Sequence, residues 1–169
     1  YKVYNTNNPG MIFSWGKLDV DATGFGYDLM RHSKAFFCAS SELIGLYDEG
    51  NDLRFSRYYD KYDFNNYDEG IFYVATKNYC KASTANEAYD QALRLEEAYL
   101  NRAEAYIEKG EHELGMDDVN AIRAERIKGE YELVANSVDE AREFYRLEKR
   151  LEFSFEGLRW FDIRRWGLE

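Results

Sequence analysis

The stretch EAYDQALRLEEAYLNRAEAYIEKGEHELGMDDVNAIRAER, residues 87–126, decides the fold. Its apolar residues recur at spacings of three and four, which is the period of one helix face. The first stripe consists of Leu95, Tyr99, Ala103 and Tyr106. Gly110 interrupts the pattern, and glycine readily adopts the left-handed conformation that ends a helix. A second helix is predicted from about 113 to 126, and the short connection makes the two helices antiparallel neighbours.

Small residues on the facing sides of this pair predict close packing of the two helices. Ala103 lies in the first helix, and Gly115, Val119 and Ile122 form the inward face of the second. Small side chains let two backbones approach each other. The pair therefore resembles a tetratricopeptide unit. Such a unit buries its face against neighbouring units, so we expect this chain, which opens on Tyr1 without an initiator Met, to be part of a longer protein.

Two patterns outside this pair predict helix starts. Thr84-x-x-Glu87 can form a capping box that begins the first helix at about residue 87. Ser137-x-x-Glu140 is a second capping box, and it predicts a long helix that ends at Gly157. A short final helix follows from about Leu158 to Trp166. We expect it to pack back on the long helix through Trp160, Phe161 and Trp166.

The first half of the chain has a different sequence pattern from the helical second half. Residues 1–86 are predicted to form an irregular, loop-rich part with one helix at about 33–49, and Gly50 follows as a natural stop. Residues 51–86 are aromatic without a helical period, which favours loops with short strands. The fold class predicted is therefore mostly α: a helical scaffold over 87–169, with the tetratricopeptide-like pair at about 87–126 and C-terminal helices at about 138–166, follows the irregular part.

Composition narrows the classes of function. The chain has 169 residues, 45% of them hydrophobic, and a net charge of −10, which makes nucleic acid and anionic lipid unfavourable partners. No run of about 18 apolar residues predicts a membrane span. Cys38 and Cys80 fit neither a CxxC pair nor a disulfide-dense scaffold, so two buried free thiols are favoured and a single bridge between them stays open. No zinc-protease, nucleophile-elbow or phosphate-loop motif is present, so the sequence does not predict an enzyme and implies no cofactor.

The end of the chain combines acids, arginines and tryptophans. Glu148, Glu152 and Glu156 are four residues apart and line one side of a helix. A catalytic carboxylate pair or an anion clamp is one interpretation. The favoured interpretation is a structural lattice in which guanidinium groups pair with carboxylates and indoles cover them. Its predicted members are Glu152, Glu156, Arg159, Trp160, Asp162, Arg165 and Trp166. A buried Trp160 would make Trp160→Ala cost about 3–5 kcal/mol.

Three blocks, in order along the chain, resemble the SusD/RagB family. The most specific is RLEFSFEGLRWFDIRRW, residues 150–166, which is similar to the closing signature of that family. RLEEAYLNRAEA at 94–105 resembles a second block. SSEL at 40–43, followed by Tyr47-Asp48 and DLRF at 52–55, resembles a third. Lys149-Arg150 stands where the family often has two arginines, and residues 128–136 align with nothing.

The resemblance implies a function at the cell surface. Family members are lipoproteins on the outer face of the outer membrane of Bacteroidetes-type bacteria. They bind glycans, or peptides in some branches, and cover a SusC-like TonB-dependent transporter to which they deliver the ligand. Their fold is helical with tetratricopeptide-like pairs. The lipid-bearing cysteine would lie upstream of this chain, so contact with the membrane is expected only through that anchor.

Glycan sites combine aromatic faces with hydrogen-bonding side chains. The stretches 15–27 and 58–73 supply both. Candidate ligand-binding residues are Trp15, Tyr27, Tyr67, Asn65 and Asn66, because turn-forming polar residues surround the three aromatics. The alternative is that these aromatics fill the core of the irregular part. Asp19-x-Asp21-x-Thr23-Gly24 resembles the start of a calcium loop, but Met30 stands at the twelfth position, so a turn is favoured and no metal site is predicted.

Two other functions remain open at this level. A tetratricopeptide-like scaffold that binds a peptide or protein partner is the main alternative to a glycan receptor. A glycosidase with two carboxylates is a third, although the sequence singles out no pair.

Overall fold

The computed structural model describes residues 8–15, 38–63, 71–75, 77 and 91–168. The chain divides into two compact units. Unit 1 comprises Tyr1–Glu49 and Arg54–Arg94, and unit 2 comprises Gly50–Leu53 and Leu95–Glu169. Most described residues with regular structure are helical, and the strands are short. The predicted fold class, mostly α with an irregular first part, is confirmed.

Unit 1 contains two small antiparallel sheets. Strand β1 pairs with β4, with Met11 opposite Arg94 and Trp15 opposite Gln91. Strand β2 pairs with β3, with Tyr59 opposite Ala75. The elements of this part of the chain are β1 (Met11–Trp15), α1 (Ser41–Ile44), α2 (Leu53–Tyr58), β2 (Tyr59–Asp63), β3 (Ile71–Ala75) and β4 (Gln91–Arg94).

The predicted helix at 33–49 is shorter in the structure. Among residues 38–49, helix α1 covers only Ser41–Ile44, and its N-terminus is capped by Ser40, whose hydroxyl accepts a hydrogen bond from the backbone N–H of Leu43. Residues 45–49 form turns rather than further helix. The prediction for 51–86 missed helix α2, whose six residues are too few to display a helical period.

The aromatic residues of unit 1 form a core. Tyr47, Phe55, Tyr58 and Tyr59 are all buried. The rings of Tyr47 and Tyr59 meet edge to face with centroids 5.4 Å apart, which is a favourable arrangement for two π systems. Lys77 places its ammonium 4.1 Å from the centre of the Tyr58 ring. These four aromatic side chains therefore form the interior of the described part of unit 1.

Unit 2 is a bundle of four helices. They are α3 (Leu95–Glu108), α4 (His112–Ala124), α5 (Val138–Glu152) and α6 (Arg159–Trp166). Its core contains residues from α3, α4 and α5. Leu100, Ala103, Ile107, Val119 and Ala141 have no exposed surface.

Gly110 ends α3 as predicted. Its φ of 87° is left-handed, its N–H donates to Ile107 O at 2.9 Å, and the next N–H, of Glu111, donates to Tyr106 O at 2.9 Å. This pair of bonds satisfies carbonyls that the helix end would otherwise leave open. The turn brings α4 back along α3 after three residues, so the predicted helical pair is present.

The start and the buried face of α3 differ from the prediction. Residues 91–94 form strand β4, so the helix begins at Leu95 rather than at 87; Thr84 and Glu87 lie outside the described residues. The buried residues are Leu100, Ala103 and Ile107, while Leu95 is 44% exposed. The stripe is therefore rotated by about one residue from the predicted one. Tyr99 and Tyr106 are half-buried, because a tyrosine can pack its ring and keep its hydroxyl near water.

Helix α5 begins where its capping box predicts. The Ser137 hydroxyl accepts from the N–H of Glu140, and the Glu140 carboxylate accepts from the N–H of Asn136 at 2.7 Å. The helix ends at Glu152, five residues before the predicted stop. Phe155 and Gly157 have φ of 61° and 80°, and these two left-handed residues turn the chain toward α6.

The segment Gly50–Leu53 belongs to unit 2, although in sequence it lies between two parts of unit 1. Leu53 N–H donates to Arg126 O at 2.8 Å, and Lys128 N–H donates to Asn51 O at 2.9 Å. Asp52 and Ile127 form an isolated antiparallel bridge. Backbone pairing thus binds Gly50–Leu53 to the chain that follows α4. In the described ranges, no helix is both long and apolar enough to cross a bilayer.

Candidate functional site

The predicted ligand-binding residues lie mostly outside the described residues. This applies to Tyr27, Asn65, Asn66 and Tyr67, and to the predicted turn at 19–24. Trp15 is the last residue of β1, and its backbone lies opposite Gln91. These residues therefore stay predictions. Among the residues that are described, no cluster of three or more His, Cys, Asp or Glu side chains is arranged to hold a metal ion.

Glu104 of α3 is the centre of a polar cluster that holds the last helix in place. Its Oε1 accepts from Trp166 Nε1 at 2.8 Å and from the guanidinium of Arg165. Its Oε2 accepts from the Tyr145 hydroxyl at 2.8 Å. One carboxylate thus joins α3, α5 and α6. We name Glu104, Tyr145, Asp162, Arg165 and Trp166 the anchor cluster.

Asp162 supplies the second half of the anchor cluster. Its Oδ1 accepts from Lys149 Nζ of α5 at 2.8 Å and from Arg165 Nη2 at 3.0 Å. Lys149 and Asp162 are both buried. A buried ion pair is costly to break, because either charge alone would remain away from water. The pair therefore fixes the register of α6 on α5.

Trp166 lies among cationic side chains. The guanidinium carbon of Arg146 is 4.9 Å from the centre of the indole ring, that of Arg165 is 5.2 Å and that of Arg159 is 5.9 Å. Cations over an indole face are attracted by its quadrupole. The ring of Tyr145 also contacts the indole, edge to face, with the two ring centroids 5.9 Å apart. The indole is held by π contacts as well as by its hydrogen bond to Glu104.

A second set of ion pairs joins α5 to Arg123 of α4 and to Arg126 in the turn that follows α4. Arg123 Nη1 is 3.1 Å from Glu148 Oε2, and Arg126 Nε is 3.0 Å from Glu152 Oε2. Glu148 and Glu152 are almost completely buried. Arg126 also pairs with Glu96 of α3 at 2.7 Å, so its guanidinium joins the turn after α4 to both α3 and α5. These pairs lie inside the bundle and cannot act as a solvent-accessible catalytic pair.

In the structure, the residues of the predicted lattice do not form one connected set of contacts. Asp162, Arg165 and Trp166 lie in the anchor cluster, whereas Glu152 pairs with Arg126 after α4 rather than with the final turn of the chain. Arg159 stacks on Trp166. Glu156 lies half-buried in the turn before α6.

Sequence reasoning missed three residues that organise these contacts. The block at 94–105 contains Glu104 but gives it no role, and Arg123 and Arg126 belong to none of the predicted sites. A signal existed for the arginines: they are three residues apart, Arg123 at the end of α4 and Arg126 in the turn after it, and Glu148 and Glu152 are four apart, one turn, on α5. The sequence signal for Glu104 is weaker: it is a charged residue between two small apolar residues, Ala103 and Ala105, of a predicted helix.

The expectation that Trp160 is buried is wrong. Its side chain is 63% exposed, and that of Phe161 is 67% exposed. The reason is helical geometry, because Asp162 and Trp166 are four residues apart and share the inward side of α6. Trp160 is two residues from Asp162 and therefore points roughly to the opposite side. The predicted cost of Trp160→Ala, which assumed burial, does not apply.

The pKa of Glu104 gives the anchor cluster a dependence on pH. Burial alone would raise this pKa, but the hydrogen bonds from Arg165, Trp166 and Tyr145 outweigh it and lower the pKa below the ordinary value of 4.5. A carboxyl whose pKa is lower in the folded state stabilises the fold above its unfolded pKa and loses that contribution as the pH falls through the folded pKa.

We therefore expect Glu104→Gln to weaken the loss of stability on acidification. Urea unfolding followed from about pH 6 to pH 3 should show a steep fall in the free energy of unfolding for the native chain below about pH 4.5, and a shallower fall for the variant. Glu143→Gln, at an exposed position of α5, is the control and should keep the native slope. Equal slopes for Glu104→Gln and the native chain would contradict this role of Glu104.

Comparisons with known proteins agree with this architecture. The family model described as the SusD family matches residues 47–169. The crystal structure of a SusD-like protein from Bacteroides fragilis is similar, with a TM-score of 0.51 and 28% sequence identity over 81% of this chain. The match covers 32% of that protein, so this chain spans about a third of its length. No curated protein sequence matches the chain.

The family match includes every element of unit 2 described above. It extends from Tyr47 through the paired helices α3 and α4 and the ion pairs of α4 and α5 to the anchor cluster on α6. It covers well over half of the 169 residues. This chain belongs to the SusD family.

Proposed function

We propose that this chain is part of a cell-surface nutrient-binding protein that captures a glycan and delivers it to a SusC-like TonB-dependent transporter. The observation that carries the proposal is the family match over residues 47–169, which ends in the signature block of α6. The similar SusD-like protein from Bacteroides fragilis supports the same placement. We also propose an outer-membrane location on the extracellular face, through a lipid anchor upstream of these residues.

The construction of unit 2 supports a binding role rather than chemistry. Glu104 and Asp162 each accept hydrogen bonds from cationic side chains, and Glu148 and Glu152 are buried against arginines. Carboxylates held in ion pairs are poorly suited to donate protons as general acids. We therefore propose that these groups stabilise a scaffold and that the protein releases its ligand unchanged.

Ligand capture is proposed for the loop-rich first part of the chain. Binding residues commonly lie on loops supported by a rigid scaffold. Trp15, Tyr27 and Tyr67 are the proposed stacking residues, and Asn65 and Asn66 the proposed hydrogen-bonding residues. A sugar ring presents C–H groups to an aromatic face and hydroxyls to amides.

The α3–α4 pair supports one alternative, a scaffold that binds a peptide or protein partner. Two antiparallel helices with a close approach are the unit from which peptide-binding grooves of tetratricopeptide type are built. The same experiment separates the two functions, because it offers both classes of ligand.

The test is a calorimetric titration of the chain with neutral oligosaccharides of glucose, xylose, mannose and galactose, and with a set of short peptides. We expect saturable heat from one sugar class, no product in the recovered ligand, and at least about tenfold weaker binding for Trp15→Ala or Tyr67→Ala, which corresponds to about 1.4 kcal/mol. Tyr131→Ala, at an aromatic position 39% exposed in unit 2, is the matched control.

Each other outcome has a defined meaning. Saturable binding of peptides without any response to sugars would support the scaffold function. Hydrolysed oligosaccharide in the recovered ligand would overturn the proposal that the protein does no chemistry.

A further inference from the structure

Residues 131–135 form an extended segment that lies on unit 2 without belonging to a sheet. Burial alternates along it: Glu132 and Val134 are exposed, whereas Leu133 and Ala135 pack against the core of the bundle. This period of two is the pattern of a strand with one buried side. In the described part of the chain, however, no backbone–backbone hydrogen bond involves these five residues. Side chains of α4 bind their backbone instead.

Two side chains one helical turn apart make these bonds. Asn120 Nδ2 donates to the Leu133 carbonyl at 2.9 Å, and Asn120 Oδ1 accepts from the Leu133 N–H at 2.9 Å. A carboxamide that bonds both backbone groups of one residue replaces the pair of bonds that a neighbouring strand would supply. Arg123 Nε donates to the carbonyl of Tyr131 at 2.6 Å. The segment is therefore held as a strand is held, but by a helix.

The groups that bind the segment are fixed by contacts elsewhere in the bundle. Arg123 Nη1 lies 3.1 Å from Glu148 Oε2, and the Glu148 side chain is only 1% exposed. Asn120 projects from α4 next to Val119, which has no exposed surface. Both binding groups thus stand on a rigid support, which reduces the entropy that binding an extended chain would cost.

The contacts select an extended backbone more than a particular sequence. The three hydrogen bonds of Asn120 and Arg123 all go to main-chain atoms. Specific side chains enter only as two apolar contacts two residues apart, those of Leu133 and Ala135. Main-chain bonds for affinity, with alternate side chains for specificity, are one of the modes in which proteins capture extended peptides. This surface of α4 has the chemistry of a peptide site, and the chain's own residues fill it.

We infer that residues 131–135, here named the strap, are an intramolecular ligand that closes an extended-peptide site on α4. The strap is tied at both ends, because α4 ends at Ala124 and α5 begins at Val138. Such a short connection gives it an effective concentration on the order of millimolar at its site. A peptide from another chain must displace it, so this surface is closed to peptides while the strap is bound. The inference is independent of the glycan function, since it uses no side chain proposed to touch a sugar.

The test supplies the strap as a separate molecule. In one variant of the full chain, residues 130–135 are replaced by the same number of glycine and serine residues. The probe is a fluorescein-labelled peptide of residues 129–136, GEYELVAN. Fluorescence anisotropy should show saturable binding to the strap-replaced variant, and at least about tenfold weaker binding to the native chain, whose site is already occupied.

Two changes locate the binding on α4. Leu133→Pro in the peptide removes the N–H that donates to Asn120, so this peptide should not bind. Asn120→Ala in the strap-replaced variant should weaken binding of the unchanged peptide about tenfold through the loss of two hydrogen bonds. Asn101→Ala, the same substitution at an exposed position of α3, is the matched control and should leave the affinity unchanged.

Hydrogen exchange gives a readout that leaves the strap in place. In the otherwise native chain, Asn120→Ala should speed exchange of the Leu133 amide at least about tenfold while the amides of α3 keep their protection. A strap-replaced variant that unfolds cooperatively in urea but does not bind the peptide would overturn the inference, and so would equal binding by the native chain. If that variant does not unfold cooperatively, the exchange result decides: an unchanged rate at Leu133 contradicts the inference, and selective acceleration supports it.

Discussion

Replacing Arg126 with methionine is expected to lower the free energy of unfolding by about 3–5 kcal/mol. The guanidinium of this residue joins Glu96 on α3 to Glu152 on α5, and the Glu152 side chain has no exposed surface. Methionine fills a similar volume but cannot compensate the buried negative charge. The loss arises from that charge rather than from a cavity, since removing one partner of a buried pair leaves the other away from water. Urea denaturation at neutral pH measures it.

Two further variants isolate the cause. Arg126→Met combined with Glu152→Met should recover part of the loss, because the buried charge is removed together with its partner. Arg142→Met is the control: its pair with Glu108 is partly exposed, with 25% and 50% of the two side chains accessible, and its loss should stay below about 1 kcal/mol. A double variant less stable than Arg126→Met would contradict the interpretation.

Gly115→Ala is expected to destabilise the chain by about 1–3 kcal/mol, although alanine is the better helix former. A methyl group at this position would lie 2.5 Å from Ile107 Cγ1 and 2.9 Å from the carbonyl oxygen of Ala103. The carbonyl belongs to the backbone of α3, so relief requires the two helices to move apart. At an open helical position the same substitution would stabilise by about 0.5–1 kcal/mol.

The control uses the opposite side of the same helix. Ala121→Gly, at an exposed position of α4, should cost about 1 kcal/mol through helix propensity alone. Thermal or urea unfolding compares the two variants directly. Increased stability of Gly115→Ala would mean that α3 and α4 are not in close contact at this point.

Both predictions concern the part of the chain that the family match covers. Arg126 and Gly115 act through different physics, a compensated buried charge and a close backbone approach, and both hold α3, α4 and α5 together. The anchor cluster then attaches α6 to that bundle. The outward rings of α6 owe their fixed position to these contacts.

The sequence was sufficient for features that depend on local chemistry. Gly110 ended α3 because only a left-handed residue closes that turn without strain, and Ser137 started α5 because its hydroxyl accepts a free backbone N–H. Gly115 predicted the close packing of α4 on α3, since no other residue has so small a side chain. The family signature lies in short-range spacing and was equally readable.

Features that depend on which side of an element faces its neighbours were decided by the tertiary structure. On α3, the residues at 95, 99, 103 and 106 have the spacing of one helix face, and so do the buried residues at 100, 103 and 107. Only the packing of α3 against α4 and α5 decides which of the two faces is buried. The partners of Glu148 and Glu152, Arg123 on α4 and Arg126 in the turn after it, are about 25 residues away in sequence.

Residues 159–166, RWFDIRRW, show most clearly which features the sequence determines and which the tertiary contacts determine. Their composition determined that these residues form a short helix with ion pairs and indole contacts. The ion pair of Lys149 with Asp162 and the hydrogen bond of Trp166 to Glu104 place Trp166 on the inward side of α6 and leave Trp160 on the outward side. Those contacts set the rotation of α6, because a buried charge must meet its partner, whereas either indole could have filled the apolar contact.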